Sequence, residues 1–187
     1  MAEKRQERSV PRAVQSSGRV GIPGRRSIHP VLTFVMRLVA VWGFSLSLLA
    51  LLPQLEQEIV HGTVNSLGTL AHVLQLPFEA FLPYVSVAGV SLEIITDCTP
   101  IMPTLVLWSA VFAFPAPIGW KLAGVGVGAA VLWVYNLVRI LALALVLRFY
   151  PPWFEFVHIY LWQSLTLLVV LAIFATWVRL HRPVGPR

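Results

Sequence analysis

The chain has 187 residues, of which 57% are hydrophobic and 12% are charged. This composition excludes an ordinary soluble domain, in which about a quarter of the residues are charged. The formal net charge of +6 does not indicate nucleic-acid binding, because the basic residues flank apolar segments and do not form a patch interleaved with aromatic residues on one polar surface.

Residues 1–29 are rich in Arg, Ser, Gly and Gln and contain almost no aromatic side chains. They cannot bury enough apolar surface to order themselves, so we predict a disordered basic cytoplasmic tail. A single transmembrane domain is predicted over 30–180, followed by a second cytoplasmic tail over 181–187. Both predicted tails are basic and lack a hydrophobic core.

Apolar stretches long enough to cross a lipid bilayer, which takes about 20 helical residues, recur along the chain. They cover residues 31–52, 101–118, 122–147 and 159–178. The sequence therefore predicts an all-α fold, a polytopic transmembrane helix bundle of about four spans. Within the third span, "GVGVGAA" at 124–130 places small residues at helical spacing, which is typical of close helix packing in membranes.

The charges predict how the spans are oriented. No Lys or Arg occurs between Arg37 and Lys121, where Lys121 is expected to lie in a turn between the second and third spans. The positive-inside rule places segment 53–100 outside and both termini in the cytoplasm, in a multi-pass protein of the cell membrane. The outward segment holds most of the acidic residues, namely Glu56, Glu58, Glu79, Glu93 and Asp97.

The outward segment contains two predicted elements. Apolar residues recur at steps of three and four between Leu55 and Leu76, opposite polar ones, which indicates an amphipathic helix on the outer membrane surface or capping the bundle. Next, "VSVAGVSLEI" alternates around Gly89, which predicts a short β-hairpin leading to Cys98.

Cys98 is the only cysteine in the chain. It cannot form an intramolecular disulfide, so its outward position leaves a free thiol that needs a function. Thr99 is predicted as the N-cap of the second span and Pro100 as its first helical residue. Cys98 then stands just ahead of a helix N-terminus, whose dipole favours negative charge.

The third span contains an arginine at unusual depth. Arg139 precedes Arg148 by nine residues, or roughly 13 Å of helix, and its charge is costly there unless it faces the bundle interior and has a partner. Asn136, three residues earlier on the same helix face, is a candidate partner. Arg37 and Arg148 lie near span ends and are expected to reach the lipid headgroups.

The fourth span opens with His158, and the alternating order of the spans brings Cys98, Arg139 and His158 to the same outer third of the bundle. A thiol can attack a carbonyl, an imidazole can transfer the proton, and a guanidinium can stabilise the thiolate or the oxyanion. Asp97 and Glu155 are candidate supporting residues, since Glu155 can orient the His158 ring. One Cys and one His are too few ligands for a catalytic metal, and no cofactor is implied.

At these residues the sequence resembles the exosortase/archaeosortase family of multi-pass membrane cysteine transpeptidases. The matching motifs are "SLEIITDC" ending at Cys98, "NLVR" from Asn136 to Arg139, and "FVHIYLWQSL" containing His158, in order over roughly residues 65 to 178. Many members continue the cysteine with Ser-Gly, where this chain has Thr99-Pro100.

The resemblance implies that the partners are exported proteins whose C-terminal tail joins a signature motif, a transmembrane helix and a basic cluster, as in PEP-CTERM-type signals. Cys98 would cleave near the motif, hold the protein as a thioester, and pass it to an acceptor amine or to water. Two alternatives stay open. One is a plain protease that hydrolyses the thioester. The other is a non-enzymatic membrane subunit in which Arg139 pairs with Asn136 and Cys98 is incidental.

Overall fold

The computed structural model describes residues 29–181. The predicted tails therefore lie outside the described residues, except for His29 and His181. The helices are α1 (His29–Leu51), α2 (Pro53–Val73), α3 (Ile101–Ala113), α4 (Ile118–Phe149), α5 (Phe154–Phe156) and α6 (Trp162–Leu180). An antiparallel sheet of three strands lies between α2 and α3, formed by β1 (Phe78–Phe81), β2 (Tyr84–Val87) and β3 (Val90–Glu93). The described chain is thus a mainly helical protein with one small sheet.

Three helical segments of the described chain are long and apolar enough to cross a membrane. They are Val31–Leu51, Ile118–Phe149 and Pro151–Leu180, the last of which contains α5 and α6. The second predicted span differs, because α3 has only 13 residues and is therefore about 20 Å long. Its end has a local cause: Phe114 precedes Pro115, which disfavours helical geometry at the residue before it, and Phe114 has a ψ of 139°.

Lys121 lies inside a helix and not in the predicted turn, because α4 begins at Ile118. Its Nζ atom donates a hydrogen bond of 2.8 Å to the backbone oxygen of Phe112. The last carbonyl groups of a helix have no partner within the helix, so this bond satisfies one of them at the end of α3. Lys121 thereby ties the end of α3 to the first turn of α4.

α4 takes part in three apolar clusters, and two of them lie on either side of Asn136 along the helix. In the first, its N-terminal half packs with α3 and α6 through Leu107, Val111, Val125, Leu132, Val170 and Trp177. In the second, its C-terminal half packs with α2 and the sheet through Val64, Leu67, Val85, Ile94 and Ile140. Asn136 lies one helical turn from Leu132 of the first core and one from Ile140 of the second. The junction between the two cores is therefore a polar position on α4.

The small residues of α4 have different surroundings on its different faces. A Cβ atom at Gly124 would clash with the Trp177 ring, and one at Gly128 would clash with Leu107, whereas one at Gly126 would have no neighbour within 4 Å. The predicted close packing thus involves Gly124 and Gly128, which lie four residues apart and face α6 and α3.

We expect Gly128→Ala to destabilise the protein by about 1–3 kcal/mol, because the added methyl group overpacks a tight contact. The contact is with Leu107, whose side chain is completely buried. Gly126→Ala is the matched control, and it should be neutral or slightly stabilising, since alanine is the better helix former. Thermal denaturation in detergent micelles measures both effects. Equal destabilisation by the two substitutions would contradict this packing.

Arg148, which is predicted to reach the lipid headgroups, contacts the sheet in the structure. Its Nη1 atom donates a hydrogen bond to the backbone oxygen of Ala88, and its guanidinium lies 5.5 Å from the centre of the Phe149 ring. Ala88 and Gly89 form the two-residue turn between β2 and β3, with φ angles of 53° and 81°. Positive φ at both positions is typical of a type I′ hairpin turn. Arg148 therefore joins the end of α4 to the tip of this hairpin.

Candidate active site

Cys98 ends a short 3-10 helical turn, Thr96–Cys98, between β3 and α3. The Thr99 hydroxyl donates a hydrogen bond of 2.6 Å to the backbone oxygen of Thr96, which closes the turn. The half-buried thiol of Cys98 lies 3.8 Å from the backbone oxygen of Glu93 and can donate to it. The turn thus holds the sulfur beside the end of β3.

The start of α3 differs by one residue from the sequence-based prediction. The helix begins at Ile101, and Pro100 and not Thr99 occupies the N-cap position. The Thr99 hydroxyl oxygen still accepts a long hydrogen bond of 3.4 Å from the Ile101 amide. Thr99 therefore stabilises both the turn and the helix start, and Cys98 lies just ahead of the helix N-terminus as expected.

Asn136 fixes the backbone at Cys98. Its side chain is 3% exposed, and its Nδ2 atom donates a hydrogen bond of 2.8 Å to the Cys98 carbonyl oxygen. Asn136 was predicted to pair with Arg139, but its amide nitrogen bonds to Cys98 instead. This part-buried hydrogen bond between α4 and the turn fixes the backbone at Cys98, because it leaves the Cys98 carbonyl little freedom to move.

We expect Asn136→Leu to lower the free energy of unfolding by about 1–3 kcal/mol, because it leaves the part-buried carbonyl of Cys98 without its donor. Asn65→Leu makes the same chemical change on an exposed face of α2 and should alter stability by less than about 0.5 kcal/mol. Thermal denaturation of the purified variants in micelles compares them. A smaller effect at Asn136 than at Asn65 would show that the hydrogen bond does not support the turn.

Cys98 and His158 line the same cavity, which has a volume of about 310 Å³. This volume lies at the lower end of the range for small-ligand sites, about 300–1,000 Å³. Its other walls come from β3 with the residue after it, from α4 and from α5, through Ser91, Leu92, Glu93, Ile94, Ile140, Leu143, Leu147 and Phe154. The structure therefore brings together two of the predicted catalytic residues, which are contributed by different parts of the chain.

His158 lies in an irregular part of the last helical segment. Residues Val157–Leu161 form a π-helical stretch, a rare conformation that is frequent at functional sites. The His158 ring stacks on Phe154 with 5.5 Å between ring centres and 26° between planes. This stacking orients the imidazole at the wall of the cavity.

Arg139 itself does not line the cavity, although the next residue of α4, Ile140, does. Its Nε atom is shielded from solvent and has no hydrogen-bond partner within residues 29–181. The guanidinium lies within electrostatic range of His158. Buried donors without a partner are rare in proteins and call for an explanation, and the Nε–H of Arg139 is such a donor among the described residues.

The predicted supporting acids do not contact the other site residues. Asp97 and Glu155 are both exposed, and the described part of the chain gives neither carboxylate a side-chain partner. Phe154, and not Glu155, contacts the His158 ring. Among residues 29–181, no three His, Cys, Asp or Glu side chains gather closely enough to hold a metal ion. The candidate chemistry therefore rests on the thiol, the imidazole and the guanidinium.

Sequence reasoning missed the apolar wall of the cavity, although one signal for it was present. Ile140, Leu143 and Leu147 follow Asn136 at steps of four, three and four residues, which places all four on one face of α4. Ser91 and Phe154 carried no such signal, because their positions depend on how the sheet and α5 pack against α4. The wall is thus partly readable from helical periodicity and partly a product of the tertiary fold.

No known protein family, curated protein or solved structure matches this sequence.

Proposed function

We propose that this chain is a membrane cysteine endopeptidase and transpeptidase of the exosortase/archaeosortase type. The observation that supports the proposal most is that Cys98 and His158 line one cavity. The Nε atom of Arg139 has no partner within residues 29–181, and its guanidinium lies within electrostatic range of the imidazole. A thiol and a proton carrier in one cavity, with a cationic donor that influences the proton carrier, are the set that acyl transfer needs.

In the first half of the proposed reaction, His158 takes the thiol proton and the Cys98 sulfur attacks the carbonyl carbon of the scissile peptide bond. The carbonyl oxygen becomes an oxyanion, and the free N–H of Arg139 stabilises it. As the C–N bond breaks, His158 gives its proton to the leaving amine. The C-terminal tail departs, and the rest of the substrate stays on Cys98 as a thioester.

In the second half, an acceptor amine or a water molecule attacks the thioester carbonyl. His158 removes a proton from the attacking group and returns it to the sulfur as the C–S bond breaks. Transfer to an amine gives a new amide bond, and attack by water gives a free carboxylate. The same residues serve both outcomes, so the acceptor decides between transpeptidation and hydrolysis.

The proposed enzyme is a multi-pass protein of the cell membrane with four spans, both termini in the cytoplasm and the site on the outer face. α3 would be the second, shortened span. Its flanking residues Thr99 and Pro100 are buried, and irregular backbone is tolerated at membrane depth only where protein or a water-filled cavity surrounds it. The proposed substrates are exported proteins with a C-terminal motif, transmembrane helix and basic cluster.

Co-expression with an exported reporter that carries such a tail tests the proposal. Cells with the intact protein should convert the reporter to a shorter form. We expect His158→Gln to slow the conversion by about 10²–10⁴-fold, the typical contribution of general acid–base catalysis. Glutamine keeps a polar side chain of similar size but cannot carry a proton between sulfur and amine.

His72→Gln is the matched control, because His72 is exposed on α2 and lies outside the cavity. It should process the reporter at the normal rate. Immunoblotting of the reporter and of the enzyme in the membrane fraction measures both. Normal conversion by His158→Gln at an equal enzyme level would contradict the assigned proton transfer.

A further inference from the structure

We propose that the free edge of β3 binds the substrate as an additional β-strand and so presents the scissile bond to Cys98. This inference rests on the proposed function for its biological meaning. Its physical basis is separate: it depends on which backbone groups of β3 are unpaired and on where they lie relative to the sulfur.

The hydrogen-bonding pattern of the hairpin shows which groups are unpaired. Val87 and Val90 close its two-residue turn, and the Ile94 amide donates a bond of 2.9 Å to the Pro83 oxygen. Bonded and non-bonded pairs alternate along antiparallel strands. Residues 90, 92 and 94 therefore bond to β2, and the N–H and C=O groups of Ser91 and Glu93 point away from it.

No strand covers that side of β3 in the described part of the chain, since the strand order of the sheet is β1-β2-β3. Ser91 and Glu93 line the cavity that holds Cys98 and His158. The Glu93 oxygen lies 3.8 Å from the Cys98 sulfur, which agrees with its outward direction. Apart from the Cys98 thiol at the Glu93 oxygen, this edge of β3 has no hydrogen-bond partner among the described residues, and it runs directly to the proposed nucleophile.

The spacing along β3 defines where an added strand would meet the sulfur. Alternate residues of a strand are about 6.7 Å apart. A peptide that exchanges hydrogen bonds with Ser91 would place its residue two positions further along beside Glu93, and hence beside the Cys98 sulfur. The scissile bond would then follow the anchored residue at a fixed distance.

An extended peptide is the occupant that fits this edge. In a helix, the scissile carbonyl and the next amides are already hydrogen-bonded, whereas an extended chain offers free N–H and C=O groups to an edge strand. Hydrogen bonds between the peptide backbone and β3 also depend little on the side chains of the peptide. They would therefore supply affinity for many substrates, and the cavity walls would supply selectivity.

Disulfide tethering tests this binding mode without any catalysis. The probe is the peptide Ac-Thr-Val-Thr-Cys-Thr-Val-Thr-NH₂. Cys98, the only cysteine of the chain, is first converted to its mixed disulfide with 2-mercaptoethanol by exchange with bis(2-hydroxyethyl) disulfide, and the peptide thiol then displaces 2-mercaptoethanol to form the peptide–Cys98 disulfide. The equilibrium constant for tethering in a 2-mercaptoethanol buffer is measured by intact mass spectrometry of the full-length protein in micelles. The peptide is then prepared with a single N-methyl group at each backbone nitrogen in turn.

We expect methylation at every second residue on one side of the cysteine to lower the tethering constant by about threefold to tenfold, the effect of losing one hydrogen bond. Methylation at the residues between them should have no effect. On the protein, Ser91→Pro should lower the constant for all peptides by a similar factor. This substitution removes an N–H group that points away from β2 and breaks no bond to β2. Edge strands accept proline at such positions.

Ala80→Pro is the matched control on the opposite edge of the sheet. Ala80 pairs with Val85. The Ala88 amide donates a bond of 3.1 Å to the Pro77 oxygen, so residues 77, 79 and 81 bond to β2 and Ala80 does not. Its amide therefore also points outward, but away from the cavity. Ala80→Pro should leave the tethering constant unchanged.

The inference would be overturned if N-methylation did not lower the tethering constant at every second residue. This scan uses the unaltered protein, so its result is decisive even if Ser91→Pro fails to fold. Equal effects of Ser91→Pro and Ala80→Pro, both folded, would also overturn the inference. The proposed function can fail independently of this inference. If the methylation scan alternates but the protein never processes a tailed reporter, the proposed enzyme is rejected and the strand-pairing site is retained.

Discussion

Cys98→Ala is expected to reduce processing of a tailed reporter by about 10³-fold or more, because removing the nucleophile eliminates the covalent route. No other thiol can replace it, since the chain has one cysteine. Cys98→Ser should be similarly inactive, because a serine hydroxyl gives up its proton far less readily than a thiol and is a much weaker nucleophile near neutral pH. The measurement is the ratio of shortened to full-length reporter at equal enzyme levels.

The two Cys98 variants also separate the enzyme from a non-catalytic membrane subunit. Cys98 is half-buried, and serine is close to it in size, so Cys98→Ser should keep the normal protein level and melting temperature. Loss of processing by a folded Cys98→Ser protein would exclude the subunit alternative. Unchanged processing by both variants would instead exclude the cysteine mechanism.

Arg139→Met is expected to lower the rate of processing by about 10²–10³-fold, the usual effect of removing one donor to an oxyanion. The same substitution should raise the free energy of unfolding or leave it unchanged. A guanidinium inside a membrane helix costs at least a few kcal/mol, and its shielded Nε atom has no partner in residues 29–181 that would offset this cost. Rate assays and thermal denaturation of the same preparation measure the two effects.

Arg139→Lys tests whether charge alone is sufficient. Lysine supplies a point charge in place of the planar, forked guanidinium, so we expect only partial activity. Arg179→Met is the matched control, because Arg179 is exposed in the last turn of α6, and it should process the reporter normally. Full activity in both Arg139 variants would contradict a role for this residue in the transition state.

The sequence allowed good prediction of elements whose pattern is local. The helical periodicity between Leu55 and Leu76 corresponds to α2 (Pro53–Val73), and the apolar stretch 31–52 corresponds to α1. The alternation around Gly89 falls on β2 and β3, whereas β1 lies outside that stretch. Period and composition are properties of neighbouring residues, so they can be read without knowledge of the tertiary fold.

The end of α3 could also have been predicted but was not. The apolar stretch 101–118 continues through Pro115 and Pro117, and hydropathy is blind to the backbone effect of proline. The restriction that proline places on the preceding residue ends the helix at Ala113. Hydropathy therefore overestimated the length of this helix, and the rule for residues before proline would have corrected it.

Some features of the candidate site were predictable from the sequence and others were not. Helix order and charge bias were enough to predict that Cys98 and His158 approach each other, and they line one cavity. The partner of Asn136 was not predictable, because the bonded carbonyl of Cys98 lies 38 residues earlier in the chain. Which donor meets which backbone oxygen depends on how the turn docks on α4, and no local pattern encodes that.

The most direct measurement of the central claim is intact mass spectrometry of the purified enzyme, acid-quenched during its reaction with a tailed substrate. We predict an adduct on Cys98 with the mass of the N-terminal product minus one water, which hydroxylamine releases as expected for a thioester. Substrate cleavage at the normal rate with Cys98 unmodified at every time point, or with the adduct on another residue, would contradict the account.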